Sequence, residues 1–212
     1  QRPPLSKKYL SGDITQADLL IYPEGLYETK QIEFRLQQCV TSIDPKSNKI
    51  KTFKGNEIQY SHLVLATGSR PNRLPESVLP TLDNVFEFRG IDDCHQIQSH
   101  LQEHKKLVIL GGGYIGLELA AVAKKNGLQV VVIERAERIL QRVACEQTSS
   151  YIRETHQQHG VQILENSSVA EFHYEAGKLQ AITLENGERL ELDLMVVGIG
   201  VTANYEIAEA CG

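Results

Sequence analysis

The chain has 212 residues, with 22 Lys and Arg against 27 Asp and Glu for a formal net charge of −5, and is 41% hydrophobic and 23% charged. That length suits one large domain or two small ones, and the ordinary globular composition excludes a disordered chain, a collagen and a coiled coil. The acidic balance argues against a nucleic-acid binder, no apolar run approaches the roughly 18 residues of a membrane span, and the polar opening QRPPLSKKYL does not read as a signal peptide.

Residues 1–30 read as irregular, with a short helix starting near Asp13, which can cap it. Residues 31–60 read as a β-meander of short strands QIEFRL, CVTSID and KIKTF, separated by the turns DPKSN and KGNE. The apolar run YSHLVLATG, residues 60–68, suits a buried strand. Three prolines in RPNRLPESVLP, residues 70–80, suggest a linker and a domain boundary.

Beyond it the pattern alternates. Residues 91–104 suit a polar helix, KLVILG at 106–111 a buried strand, and 114–126 a helix stopped by Asn126-Gly127. QVVVIE at 129–134 is a second buried strand, 146–159 a helix ending at Gly160, and VQIL a third strand. Residues 168–195 read as antiparallel strands with turns at Glu175-Ala176-Gly177 and Asn186-Gly187, and LMVVGIGV as the last buried strand.

The sharpest motif is Gly111-Gly112-Gly113-Tyr114-Ile115-Gly116, a G-x-G-x-x-G between a strand and a helix, the context a dinucleotide fold requires. Gly111 allows the tight turn, Gly113 lets a pyrophosphate approach the backbone, and Gly116 lets helix and strand pack closely. The free N–H groups and positive dipole end of the helix then face the phosphates. Glu134 ends the second strand about 20 residues on, where a carboxylate accepts hydrogen bonds from the adenosine ribose and repels a 2′-phosphate. NADH is favoured over NADPH, although Arg135 and Arg138 stand close by; a solvated strand-end charge is the plain alternative. Glu118, one turn into the helix, faces the phosphate end of the site or simply complements the helix dipole. The expected class is α/β, a Rossmann-like dinucleotide-binding domain with a β-meander.

GGGYIGLELA, VVVIERAERIL, LVLATGS and MVVGIGV, in this order, resemble the flavin-dependent pyridine-nucleotide oxidoreductases. The opening QRPPLSKKYL and the ending GIGVTANYEIAEACG are similar to the ferredoxin and rubredoxin reductase branch. The resemblance implies an NAD-binding domain inserted into an FAD-binding domain: residues 1–82 as part of the FAD domain, 83–200 as the NAD domain and 201–212 as the return segment. It implies a fragment, lacking the first FAD-binding glycine turn and the C-terminal domain. A chain that opens without Met, its one Met being Met195, suggests the same.

Lys7, in RPPLSK, would by this resemblance sit at the flavin ring and pair with Glu118 across the domain boundary. Val40 would touch the FAD adenine through its backbone, Ala66, Thr67 and Gly68 would pass along the FAD, and Arg89 would contact its diphosphate. Tyr114, Ile115 and Glu118 would line the nicotinamide end, Ile199 and Gly200 would admit the nicotinamide ribose, and Arg142 would lie toward the adenosine end of NAD. The implied reaction moves hydride from NADH to FAD and then single electrons to a ferredoxin- or rubredoxin-type iron protein. The cofactors carry the chemistry, so Lys7 and Glu118 are positioning groups.

Several rivals stand beside this reading. A disulfide reductase would carry a cysteine pair near RPPLSK, and a peroxidase or oxidase relative a single redox cysteine there; Cys39 lies well downstream. A nitrite reductase or NADH oxidase-type relative keeps the same motifs. An NAD(H)-binding fragment without turnover is a further alternative. A simple alcohol-type dehydrogenase would be expected to carry a Tyr-x-x-x-Lys pair or a zinc site. Cys39, Cys94, Cys145 and Cys211 form no zinc or disulfide pattern and read as reduced thiols of a cytoplasmic protein. His100 with His104, and His156 with His159, lie at helix-face spacing but in polar segments without partner ligands, so no metal is expected. Lys105-Lys106 and Lys124-Lys125 are too short for a nucleic-acid patch.

Overall fold

The computed structural model describes residues 4–23, 25–101 and 105–212. Its strands are β1 (Val40–Asp44), β2 (Lys49–Thr52), β3 (Glu57–Gln59), β4 (Ser69–Pro71), β5 (Val85–Glu87), β6 (Lys106–Leu110), β7 (Gln129–Ile133), β8 (Val161–Leu164), β9 (Val169–Glu175), β10 (Lys178–Leu184), β11 (Arg189–Glu191), β12 (Leu194–Val197) and β13 (Val201–Ala203). The helices are α1 (Leu26–Thr29), α2 (Ile91–His100), α3 (Tyr114–Lys125), α4 (Glu146–Gln158) and α5 (Glu206–Glu209). The chain divides into two compact units: residues 1–20 with 71–200, and residues 21–70 with 201–212.

The larger unit is built on a parallel five-stranded sheet in the order β5-β12-β6-β7-β8. The strands are apolar on both faces, as parallel sheets covered on both sides must be. Leu107, Ile109, Val130, Val132, Leu194 and Val196 face one core, which α2 joins through Cys94 and Ile97 and α3 through Leu119 and Ala123. Their alternates Val108, Leu110, Ile133, Met195 and Val197 face a second core, closed by Leu179, Ile182 and Leu184 of the antiparallel β9-β10-β11 meander. This period-two alternation lets one sheet carry helices on one side and a second sheet on the other. The expected α/β architecture, with its glycine-stopped helices and hairpins, is the one observed.

Asn84 ties the two sheets. Its Nδ2 donates to the carbonyls of Leu179 at 2.8 Å and Asp193 at 2.9 Å, and its Oδ1 accepts the Leu179 N–H at 2.8 Å. β5, which the sequence reading omits, is short and pairs only with β12. At the start of the chain, Leu5–Tyr9 forms a short coiled segment kinked at Lys7 (φ −122°, ψ −112°), whose Leu5 and Tyr9 enter the first core. The expected helix near Asp13 is absent; a single 3-10 turn occupies Ala17–Leu19.

The smaller unit holds the antiparallel β1-β2-β3 meander and the β4-β13 pair. Two expected strands are corrected here. Residues 31–36 and 60–68 form no strand, and Phe34, Leu36 and Val64 are exposed. A strand is held by neighbours, and among the described residues no strand pairs with either run. Tyr27 packs edge-on against both Tyr22 and Phe34 instead.

Candidate functional site

The site forms where the parallel strands end. Gly111 follows β6, Glu134 follows β7, Gly198 follows β12 and Phe88–Arg89 follow β5. The chain proceeds from β6 outward through β7 to β8, then returns on the other side of β6 as β12. That reversal leaves a crevice at the carboxyl ends of β6 and β12, the position open α/β sheets use for ligands.

The glycines there differ in what they do. Gly111 has φ +110°, and a Cβ on it would lie 2.4 Å from the Gly198 carbonyl oxygen. A Cβ on Gly116 would lie 2.3 Å from the Gly111 carbonyl oxygen, and one on Gly112 2.6 Å from Ile139 Cγ2. Three glycines are thus demanded by contact with the protein itself. Gly113 is different: a Cβ there would meet nothing within 4 Å. It is the N-cap of α3 and brings no side chain to cap it, and the space its Cβ would take is open. A pyrophosphate fits this cradle, by charge as well as by room.

Glu134 is held by the backbone. Its Oε2 accepts the Gly112 N–H at 2.7 Å and its Oε1 the Ala136 N–H at 2.8 Å. Arg138 donates to Ser149 Oγ at 2.5 Å, so its guanidinium is engaged with α4. Arg135 is exposed.

Glu118 is bound on both oxygens. Lys7 Nζ lies 2.9 Å from Oε1, and Ser6 Oγ donates to Oε2 at 2.5 Å. The expected Lys7–Glu118 pair is present, but within one compact unit. Ser6, buried, is the residue the sequence reading missed; it adjoins Lys7, but its 112-residue separation from Glu118 gave no local signal. Tyr114 and Ile115 present their side chains to solvent at the mouth. Ile199 is exposed, and Gly200 has φ +109° with the Asn72 amide beside it. Arg142 lies near Gly200, its Nη2 3.7 Å from where a Cβ would stand. Asp93 Oδ2 accepts the N–H groups of Arg89 at 2.8 Å and Gly90 at 2.6 Å, fixing the start of α2 and with it half-buried Arg89.

In the smaller unit, Val40 opens β1 opposite Thr52. Ala66, Thr67 and Gly68 form an exposed run outside any strand. Asn204 clamps its end: its Nδ2 donates to the Thr67 carbonyl at 3.0 Å and its N–H to the Gly68 carbonyl at 2.9 Å. Gly68 has φ +74°, so the run turns where a side chain would be strained.

The other chemistries find no such assembly. Tyr174 and Lys178 do have Tyr-x-x-x-Lys spacing, but they lie on opposite strands of the β9–β10 hairpin, with Tyr174 paired to Leu179. Among the described residues no three His, Cys, Asp or Glu side chains converge as metal ligands; His104 lies outside them. All four cysteines are free thiols; burial pushes the Cys94 thiol up to about 11, and the Thr148 hydroxyl beside exposed Cys145 lowers that one. Among the described residues no helix is long and apolar enough to cross a membrane.

Comparison with known proteins agrees with this geometry. Residues 1–212 match the family described as pyridine nucleotide-disulphide oxidoreductase. The chain is 38% identical to terpredoxin reductase of a Pseudomonas species, covering 100% of this chain and 51% of the relative, and 35% identical to putidaredoxin reductase of Pseudomonas putida, covering 99% and 51%. It therefore spans about half the length of the curated relatives it matches. The solved covalent putidaredoxin reductase–putidaredoxin complex superposes with a TM-score of 0.93 at 35% identity, over 100% of this chain and 52% of that one. The ferredoxin reductase for the CYP199A2 system of Rhodopseudomonas palustris gives 0.91 at 36%, over the same shares. By sequence over its whole length, and by the crevice at its strand ends, the chain belongs to the pyridine nucleotide-disulphide oxidoreductase family.

Proposed function

We propose that this chain supplies the pyridine-nucleotide site, and part of the flavin site, of an NADH-dependent flavoprotein reductase that reduces a ferredoxin- or rubredoxin-type iron protein in the cytoplasm. The observation that carries the reading is the glycine turn, where three glycines are fixed by protein contacts and Gly113 alone opens onto free space. The relatives named as reductases of putidaredoxin and terpredoxin support the electron acceptor.

In this reading α3 binds the NADH pyrophosphate through its first N–H groups and its dipole. Glu134 faces the adenosine ribose and disfavours a 2′-phosphate. Ile199 and Gly200 admit the nicotinamide ribose, and Arg142 stands beside them. Val40, Ala66–Gly68 and Arg89 contribute to FAD. A flavin held by these residues would supply the exchange between two-electron hydride chemistry and single-electron transfer to the iron protein. Lys7 and Ser6 hold the Glu118 carboxylate at the nicotinamide end. The division into a partial FAD domain at 1–82, an NAD domain at 83–200 and a return at 201–212 belongs to the same proposal.

The test is a fluorescence titration of the chain with NADH and NADPH, paired with a visible spectrum after FAD addition and anaerobic NADH. NADH binding tighter than NADPH binding supports the reading, and no binding of either overturns it. A flavin band that NADH bleaches extends it to turnover. Absence of that band leaves the second reading, an NAD(H)-binding fragment without turnover.

A further inference from the structure

The glycine turn is gripped from outside itself. Gly112 gives its N–H to Glu134 Oε2 at 2.7 Å, and its carbonyl accepts the Leu140 N–H at 3.0 Å. Both backbone groups of one residue are thus held by the segment 134–140. The segment is itself pinned. Ala136 N–H binds the other Glu134 oxygen, and Ile139 N–H binds Glu165 Oε1 at 2.8 Å. Glu165 in turn pairs with Arg153 at 2.9 Å. Buried Leu140 has φ +55°, a conformation that persists only where its surroundings impose it.

We infer that Glu134 is a positioning residue for the glycine turn, holding the free protein in the conformation that receives the dinucleotide. Peptide planarity gives the reason. The 112–113 peptide has its carbonyl fixed toward Leu140, so the Gly113 N–H is turned to the opposite side. Glu134 fixes the preceding peptide through a charge-assisted bond, the stronger kind. Each carboxylate oxygen keeps a further lone-pair site, so a ribose hydroxyl can still be accepted. Removing the charge at 134 nevertheless loosens the turn before it changes which ribose is tolerated. Affinity then falls for both coenzymes, for NADPH the less because the charge facing its 2′-phosphate is gone. The inference deepens the pyridine-nucleotide reading and rests on it for the coenzyme step.

The experiment uses the ¹⁵N-labelled chain with Glu134→Gln and Glu134→Ala. Without coenzyme, the Gly112 and Ala136 amides exchange with solvent roughly tenfold faster in Glu134→Ala. Glu134→Gln, which retains one acceptor oxygen, lies between it and the parent. With coenzyme, the dissociation constants for NADH and NADPH both rise, that for NADH the more. Unchanged amide exchange overturns the inference. So does loss of NADH affinity with NADPH affinity held or improved, the signature of a ribose acceptor alone. If Glu134→Ala does not fold, the Gln variant decides. If the parent chain binds neither coenzyme, the proposed function falls, and the exchange measurement still settles the role of Glu134.

Discussion

Lys7 Nζ and Glu118 Oε1 lie 2.9 Å apart, joining the kinked segment at the start of the chain to the second turn of α3. The side chains are 51% and 28% exposed, so water screens the pair and its contribution to stability is under about 1 kcal/mol. Its value is in placement. Lys7→Met is expected to move the melting temperature by no more than about 4 °C. In the flavin-loaded protein it is expected to slow hydride transfer more than it weakens NADH binding. Stopped-flow reduction at varied NADH separates the two, and equal losses would count against a positioning role at the nicotinamide end.

Gly113 and Gly116 make opposite predictions from neighbouring positions. Gly116→Ala drives a Cβ into the Gly111 carbonyl, so it is expected to cost about 1–3 kcal/mol of stability or more. Gly113→Ala meets open space with φ −82°, so stability changes by less than about 1 kcal/mol. Its methyl group instead stands where the pyrophosphate would approach, and NADH affinity falls on the order of tenfold. Urea unfolding and NADH titration of both variants check the contrast. A Gly113→Ala chain with full NADH affinity would remove the dinucleotide from this turn.

What could be read in the sequence follows from how local each signal is. The glycine turn, β6, β7 and α3 were legible because apolar periodicity, the Gly111–Gly116 spacing and the Asn126-Gly127 stop all sit in one continuous stretch of chain, from Lys106 to Ile133. The Glu118 clamp was legible only in half. Lys7 came from a resemblance, whereas Ser6 acts across a gap of 112 residues with no periodic trace. Residues 31–36 and 60–68 have strand-like composition, yet a strand also needs a partner, and the partner lies outside what a local pattern contains. Three-residue β5 carried too little pattern to be seen; it exists because β12 offers it an edge. The two bonds that hold Glu134 involve backbone N–H groups, to which side-chain identity is blind.

Asn84 shows how the meander is kept on the sheet. It is buried and makes three hydrogen bonds, two to the backbone of Leu179 and one to that of Asp193. Asn84→Ala leaves those backbone groups without a partner in a closed space and is expected to cost about 2–4 kcal/mol. Denaturant unfolding measures the cost. Hydrogen exchange at the Leu179 amide localises it, because a general loosening would speed exchange in β6 and β7 as well.

His156 and His100 are expected to contribute to the acid side of the stability profile. Burial lowers the pKa of each below the usual histidine value; the neighbouring charge of His159 adds to this at His156, and those of Lys105 and Lys178 at His100. With the folded value below the unfolded one, the unfolded chain binds more protons between them, so stability rises with pH through that interval. The contribution is complete above the unfolded histidine value near 6.5 and is lost as pH falls below it. The melting temperature is therefore expected to decline from pH 7.5 to 5.5. In His156→Gln, which cannot take up a proton, the decline becomes shallower. Thermal unfolding across that range checks the sign, and a profile equally steep in His156→Gln would assign the acid sensitivity to the remaining groups.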